Sequence, residues 1–194
     1  MKVVFIRHSK ALEKELWDGA DKDRPLHKKG KVRAEVFAKQ LAALYPNVSC
    51  IYSAESVRTT QTADIIGRRV RPKTSATTPL LNKGFNLKAF EFLMDTLSEG
   101  IDTVFLVGHC PDIVDVVYQL TGTKEEIQMK KPSSVEVEFR KDRKKPEYKG
   151  YFDGESEEIK VFRTSEPHEE AVGEIDLGVA KKKRSGAKSR KEEQ

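Results

Sequence analysis

Cysteine is scarce in this 194-residue sequence, which contains only Cys50 and Cys110. The two lie in unlike contexts without a paired spacing, which argues against a disulfide framework and fits a reducing compartment. No apolar run approaches the ~18 residues of a membrane span. Only four apolar residues follow Lys2, which predicts that there is no signal peptide. We therefore expect a soluble, cytoplasmic protein.

Most of the chain also lacks a net charge of either sign. The net charge is +5, and residues 179–194 contain seven cations and two anions, so they carry the whole surplus. Beyond about residue 168 charged residues predominate and aromatic residues vanish, a composition typical of disorder. We predict one domain over 1–165 and a charged, disordered tail over 166–194.

Short apolar runs alternate with stretches of helical periodicity, which predicts an α/β fold. This alternation favours a three-layer α/β/α arrangement with a mostly parallel central sheet of about six strands. Strands are expected at 3–6, 48–52, 73–77, 103–107, 133–140 and 157–163, and helices at 29–45, 56–69, 87–99 and 112–120.

The pattern also predicts an edge strand and the long loops. Residues 133–140 alternate apolar and charged side chains, which predicts one antiparallel edge strand. Residues 10–28, 78–86 and 141–156 are predicted to be loops.

Basic side chains lie just beyond the ends of three predicted strands. Arg7 and His8 directly follow the first strand. Arg58 lies in the first turn of the helix after the second strand, and His109 follows the fourth strand. Because ligands bind at the carboxyl ends of parallel strands, we expect these four side chains to converge.

These four residues together predict an anion site. Two guanidinium groups and two imidazoles with no evident carboxylate partner would repel each other, and a dianionic phosphoryl group fits best between them. One neutral histidine can attack phosphorus, and the other can stabilise charge on the phosphoryl oxygens. The remaining histidines, His27 in a loop and His168 in the tail, are assigned no role.

Four stretches carry a family resemblance: Arg7-His8-Ser9-Lys10-Ala11, Arg24-Pro25-Leu26 with Lys29-Gly30, Ser53 to Ala63, and Val107-Gly108-His109-Cys110-Pro111. In order and spacing they resemble the histidine phosphatase superfamily, which includes the phosphoglycerate mutases. Serine followed by Lys-Ala in the first stretch is similar to the small bacterial phosphohistidine phosphatases of the SixA type. The resemblance covers about 1–165.

The resemblance implies a phosphoglycerate mutase-like fold and a role for each of the four residues. By match of position, His8 would be the nucleophile that becomes phosphorylated, and Arg7, Arg58 and His109 would form the phosphate pocket. No metal and no cofactor are implied. The implied partner is a phosphorylated protein in signal transduction, such as a histidine-containing phosphotransfer domain or carrier.

Two departures from the family pattern bear on the substrate. Ser9 replaces the usual glycine, which affects the backbone freedom of the loop more than its chemistry. Mutase-like members carry a glutamate general acid in the loop after the third strand, whereas residues 78–86 contain no acid. An imidazole, with a pKa of about 6.5, leaves more easily than an alkoxide when no proton donor is present, which favours phosphohistidine. The short loop also predicts an open site that admits a side chain of another protein.

Three functions stay open from the sequence. The first is a protein phosphohistidine phosphatase. The second is a small-molecule phosphomonoesterase or mutase of the same fold, with Asp18, Asp21 or Asp23 as the proton donor. The third is a non-enzymatic adaptor whose basic tail binds nucleic acid through phosphate contacts. All four pocket residues are present, which argues against the third as the main role, and no membrane partner is expected.

Overall fold

The first strand is buried on both faces, as its unbroken apolar run predicts. The computed structural model describes residues 1–141, 145–153 and 161–162, and within them β1 spans Lys2–Arg7. Val3 and Phe5 belong to one hydrophobic core cluster and Val4 and Ile6 to another, and all four are fully buried. Successive side chains of a strand point to opposite faces, so β1 joins the two layers of the core.

Seven strands and four α-helices lie within the described residues. The other strands are β2 (Cys50–Ser53), β3 (Thr74–Thr77), β4 (Thr103–Gly108), β5 (Ser133–Glu138), β6 (Glu147–Asp153) and β7 (Val161–Phe162). The helices are α1 (Lys28–Leu44), α2 (Val57–Val70), α3 (Leu87–Asp95) and α4 (Asp112–Thr121). In this part of the chain, no helix combines the length and the apolar character that crossing a bilayer requires.

The sheet is mixed, and its order is β3-β2-β4-β1-β5-β6-β7. The first four strands of this order pair in parallel, and the last three pair antiparallel. Residues of α1 and α2 pack on one face, and residues of α3 and α4 pack on the other. The prediction of a three-layer α/β fold with a mostly parallel sheet is therefore confirmed.

The antiparallel part of the sheet is larger than the sequence predicted. The prediction of a loop over 141–156 is wrong, because β6 lies there and pairs with β5. As a result β5 lies inside the sheet, so the prediction of a single edge strand at 133–140 is also wrong. The half-buried Glu147, Lys149 and Tyr151 alternate with the buried Tyr148, Gly150 and Phe152, which is a strand pattern that the charged residues obscure.

Most of the last predicted strand and the whole predicted tail lie outside the residues that the structure describes. β7 lies within the predicted strand at 157–163, whose other residues are not among those described. The predicted tail over 166–194 also lies outside the described residues, and so does His168.

The register between β1 and β4 brings the ends of these strands level. Arg7 lies opposite Gly108 in the parallel ladder. The backbone N–H of His8 donates to the carbonyl of Gly108 at 3.2 Å. Because the two strands run in the same direction, His8 and His109 leave the sheet at the same point.

The loop after β1 is fixed against the start of α1. The hydroxyl of Ser9 donates to the carbonyl of Gly30 at 2.7 Å, and the backbone N–H of His27 donates to the carbonyl of Lys10 at 3.0 Å. A Cβ atom at Gly30 would lie only 1.9 Å from the Lys10 carbonyl oxygen. Glycine at this position therefore lets the helix approach the loop that carries His8.

Replacing Gly30 with alanine tests this contact. We expect Gly30→Ala to destabilise the protein by about 1–3 kcal/mol, because the methyl group displaces backbone in a packed region. Gly67→Ala is the matched control, since Gly67 lies in α2 and a Cβ atom there meets nothing within 4 Å. That change should stabilise the helix by about 0.5–1 kcal/mol. Urea unfolding measures both effects, and equal stabilities of the two variants would contradict the role of Gly30.

Candidate active site

A single cavity gathers the four basic residues that the sequence predicts to converge. Its volume is about 1160 Å³, and Arg7, His8, Arg58 and His109 all line it. The rings of His8 and His109 meet edge to face, with centroids 5.3 Å apart and planes inclined by 69°. The cavity is large enough for a phosphorylated side chain and part of the group that carries it.

His8 is oriented by the backbone of the next residue. Its Nδ1 atom lies 2.7 Å from the carbonyl oxygen of Ser9. A carbonyl oxygen only accepts hydrogen bonds, so Nδ1 carries the ring hydrogen and Nε2 keeps its lone pair. Nε2 is therefore the nitrogen that can act as a nucleophile.

Ser9 needs no glycine-like backbone at this point. Among the described residues other than glycine, only Arg71 has a positive φ. The buried Ser9 instead ties the loop to two helices, since its N–H donates to Thr62 at 3.1 Å and its hydroxyl donates to Gly30. The side chain that departs from the family pattern thus stabilises the loop that holds His8.

Both imidazoles are held in their neutral form. The pKa of His8 is lowered to about 3, mainly by burial; the bond to the Ser9 carbonyl opposes this, and His109, Arg58 and Lys131 add to the lowering. Burial likewise lowers the pKa of His109 to about 4, assisted by Arg58 and Lys83. A neutral imidazole is nucleophilic, so the cavity keeps His8 ready to react near neutral pH.

Arg58 has a carboxylate partner that the sequence did not reveal. Its side chain is only 3% exposed, and its two terminal nitrogens donate to Asp21, to the carbonyl at 2.6 Å and to Oδ2 at 3.2 Å. The expectation that the four site residues lack a carboxylate partner is therefore wrong for Arg58. Asp21 also accepts bonds from Arg24 at 2.9 and 3.0 Å and from Lys83 at 2.9 Å. One carboxylate thus fixes three cations at the cavity.

This environment bears on the predicted proton donors. The bonds from Lys83 and Arg24 hold the pKa of Asp21 well below its usual range. An ionised carboxylate has no proton to give, so its surroundings favour a positioning role for Asp21. Asp18 and Asp23 are exposed and do not line the cavity. A proton donor among these three residues stays a prediction.

Arg7 is held by the segment that precedes β5. Its Nη1 donates to the carbonyl of Met129, and its buried Nε finds no hydrogen-bond partner among the described residues. Arg7 lies opposite Ser133 in the antiparallel pairing of β1 with β5, so the residues before Ser133 end beside it. Residues 127–131 consequently form one wall of the cavity. This wall has no periodic sequence signal, because it depends on the pairing of distant strands.

The acid-free loop after β3 forms a second wall. Lys83 and Gly84 line the cavity, and the N–H of Gly84 donates to Oδ2 of Asp112 at 2.8 Å. The side chain of Asn82 accepts from the N–H of Glu55 at 2.9 Å and donates to its carboxylate at 2.8 Å. The loop is therefore tied to the residues that precede α2 and to the start of α4, on which Arg58 and His109 depend.

Positive charge predominates around the cavity. Its lining includes eight cationic side chains and two carboxylates. The cations are Arg7, Lys10, Arg24, Arg33, Arg58, Lys83, Lys130 and Lys131, and the carboxylates are Glu13 and Asp112. Across the described residues, no group of three or more His, Cys, Asp or Glu could hold a metal ion. The arrangement suits an anionic ligand that a neutral imidazole can attack.

Comparisons with known proteins agree with this geometry. Residues 3–82 match the family model of the histidine phosphatase superfamily (branch 1). The protein histidine phosphatase SixA, solved with tungstate, superposes with a TM-score of 0.70 over 79% of this chain and 97% of its own, at 18% identity. Over these residues the chain is therefore similar to the histidine phosphatase superfamily. The matched residues contain Arg7, His8 and Arg58, and His109 follows them.

Other solved structures share the fold at similarly low identity. The putative phosphohistidine phosphatase SixA from Agrobacterium tumefaciens is 20% identical, with a TM-score of 0.63 over 71% of this chain and 90% of its own. A phosphoserine phosphatase mutant from Entamoeba histolytica, solved with phosphoserine, is 16% identical, with a TM-score of 0.61 over 79% of this chain and 98% of its own. No curated protein sequence matches the chain. The histidine phosphatase fold is thus shared by proteins named for different substrates.

Titration of the two site histidines tests their environment. Because burial disfavours the imidazolium form, their pKa values lie below the usual 6.5, and both rings should stay neutral as the pH falls from about 8 to about 5. NMR of the ring protons in phosphate-free buffer should therefore show no titration over this range. His8→Gln and His109→Gln variants assign the two signals. A midpoint near 6.5 for either ring would contradict the buried, cationic environment.

Proposed function

We propose that this protein is a phosphatase that removes the phosphoryl group from phosphohistidine in another protein, through a phosphohistidine intermediate on His8. One observation carries the proposal. The lone pair on Nε2 of a neutral His8 lies in a cavity whose charged lining is mostly cationic, next to the ring of His109. A nucleophile and an anion pocket in one place fit phosphoryl transfer.

In the first step, Nε2 of His8 attacks the phosphorus atom. The new P–Nε2 bond forms as the bond from phosphorus to the substrate imidazole breaks, and the electron pair of that bond goes to the leaving ring. The ring departs as a neutral imidazole when its other nitrogen carries a proton. Arg7 and Arg58 bind the phosphoryl oxygens, and His109 donates a hydrogen bond to one of them.

In the second step, water attacks the phosphorus atom of phosphorylated His8. The P–Nε2 bond breaks, inorganic phosphate leaves with the protons of the water, and Nε2 regains its lone pair. The hydrogen bond from Nδ1 to the Ser9 carbonyl is kept throughout. When the P–Nε2 bond breaks, the ring of His8 is therefore neutral and in its original tautomer. The nucleophile is thereby ready for another cycle.

Three features support phosphohistidine as the substrate. The loop over residues 78–86 contains no acid, and Asp21 is held ionised by its cationic partners. A leaving imidazole needs less help from a proton donor than a leaving alkoxide does. The structural similarity to SixA, named as a protein histidine phosphatase, points the same way.

A second candidate is a phosphatase for a small phosphomonoester. The Entamoeba structure with phosphoserine shows that the shared fold accommodates such a ligand in that protein. In this chain Asp112 lines the cavity three residues beyond His109, and its carboxyl group is a candidate proton donor for an alkoxide. This candidate needs Asp112 to be protonated during the reaction, whereas phosphohistidine hydrolysis does not.

The proposal extends to the location and the partner of the protein. Both cysteines are free in the structure, which fits the reducing, cytoplasmic location that we predict. The partner that we propose is a phosphorylated protein, such as a phosphotransfer domain or carrier. Nucleic-acid binding by the basic tail stays a prediction that concerns residues outside the description.

Replacing the nucleophile tests the proposed chemistry. We expect His8→Ala to lower the hydrolysis of a phosphohistidine protein by roughly 10⁴-fold or more, because no other group can form the intermediate. His27→Ala is the matched control, since His27 caps α1 by accepting from the N–H of Lys29 and does not line the cavity. Mass spectrometry of the wild type during turnover should find acid-labile phosphate on His8. Turnover retained by His8→Ala would refute the assignment.

A comparison of substrates tests the proposed specificity. We expect kcat/KM to be higher for a phosphohistidine peptide than for phosphoserine or 3-phosphoglycerate, because the alkoxide leaving groups require a proton. Asp112→Asn should leave the rate on phosphohistidine within about threefold of the wild type, since the leaving imidazole needs no donor. A clear preference for the alkyl phosphates, lost in Asp112→Asn, would support the phosphomonoesterase instead.

A further inference from the structure

The wall formed by residues 127–131 brings lysines to the same cavity as the nucleophile. The bond from Arg7 to the Met129 carbonyl fixes the middle of the wall, and the N–H of Lys130 donates to the hydroxyl of Tyr151 in β6 at 3.2 Å. Lys130 and Lys131 both line the cavity. The backbone of the wall is therefore held on two sides, which fixes where these side chains begin.

Most other cations of the cavity already have partners. Arg24 and Lys83 bind Asp21, as described above. Lys10 pairs with Glu13 at 2.9 Å, and Lys130 pairs with Asp153 at 2.9 Å. The charge of these side chains is at least partly compensated before any ligand binds.

Lys131 differs from these residues. It is half-buried, and within the described residues no carboxylate lies within ion-pair distance of its ammonium group. Burial lowers the pKa of Lys131, and the charges of Arg7, Arg24 and Arg58 lower it further, whereas the carboxylate of Glu13 raises it by less than any of these lowers it. A partly desolvated ammonium group among guanidinium groups is an unfavourable arrangement that a bound anion would relieve.

The charge of Lys131 also reaches the nucleophile. It contributes to the lowered pKa of His8, together with His109 and Arg58. Lys131 and His8 line the same cavity, so a phosphoryl group bound at His8 would feel the charge of Lys131. No sequence motif marks this residue, since it is brought to the cavity by the pairing of β5 with β1.

We propose that Lys131 is a further phosphoryl-binding residue, which joins Arg7 and Arg58 in holding the phosphoryl oxygens at His8. Arg58 already shares its charge with Asp21, so a dianionic group requires a cation beyond the two arginines. Lys131 supplies that cation from the wall formed by residues 127–131. As a point charge on a flexible stem, it can follow the phosphoryl group as negative charge shifts during transfer.

The role of Lys131 in turnover rests on the proposed function, but its role in binding is measurable without turnover. The probe is inorganic phosphate, and its dissociation constant is measured by calorimetry at fixed pH and ionic strength with the full chain. Lys131→Met removes the charge while keeping the length of the side chain. Lys130→Met is the matched control, because Lys130 is adjacent, lines the same cavity and is compensated by Asp153.

We expect Lys131→Met to weaken phosphate binding by roughly tenfold or more, because a charge-assisted hydrogen bond is lost. Lys130→Met and Lys131→Arg should stay within about threefold of the wild type, because each keeps the uncompensated cation at position 131. Thermal unfolding confirms that each variant is folded before its affinity is compared.

Three outcomes would overturn the inference: unchanged affinity in Lys131→Met, an equal loss in Lys130→Met, or no phosphate binding by the wild type. The inference and the proposed function can fail separately. Phosphate binding that depends on Lys131, without hydrolysis of phosphohistidine, would keep the inference and refute the function. Hydrolysis of phosphohistidine by the wild type, with unchanged phosphate affinity in Lys131→Met, would keep the proposed function and refute the inference.

Discussion

The whole site depends on the parallel register between β1 and β4. Arg7 lies opposite Gly108, so the residues that follow the two strands emerge together, and the rings of His8 and His109 meet with centroids 5.3 Å apart. Both strands lie in the centre of the sheet, with fully buried residues on both faces of β1, so a slip in register would move each apolar side chain out of its packing site. The hydrophobic core thereby fixes the position of the two imidazoles, and the chemistry needs no flexible loop to assemble it.

Compensation of charge organises the rest of the cavity. Asp21 binds Arg24, Arg58 and Lys83, so one carboxylate holds together cations that come from three parts of the chain. Its low pKa keeps it ionised as a positioning group. Arg7 and Lys131 lack a comparable carboxylate among the described residues, and burial keeps both imidazoles neutral. The net result is a cavity with a mostly cationic lining around two imidazoles that are neutral near neutral pH.

The sequence predicts those features that arise from local patterns. The apolar run from Val3 to Ile6 predicts a buried strand, and basic residues just beyond strand ends predict where the site lies. Features that depend on pairing between distant segments escaped prediction. The bond of Asp21 to Arg58 joins a loop to a helix, and Lys131 reaches the cavity only because β5 pairs with β1. The strand β6 was taken for a loop because its charged residues conceal the alternation of Tyr148, Gly150 and Phe152.

The central claim is that Arg7, His8, Arg58 and His109 all bind one phosphoryl group. A crystal structure of the protein with orthovanadate, which adopts the geometry of phosphoryl transfer, tests it most directly. The vanadium should be bonded to Nε2 of His8, with its oxygens bound by Arg7, Arg58 and His109. Vanadate bound at another place, or in the cavity without a bond to His8, would contradict the assignment of His8 as the nucleophile.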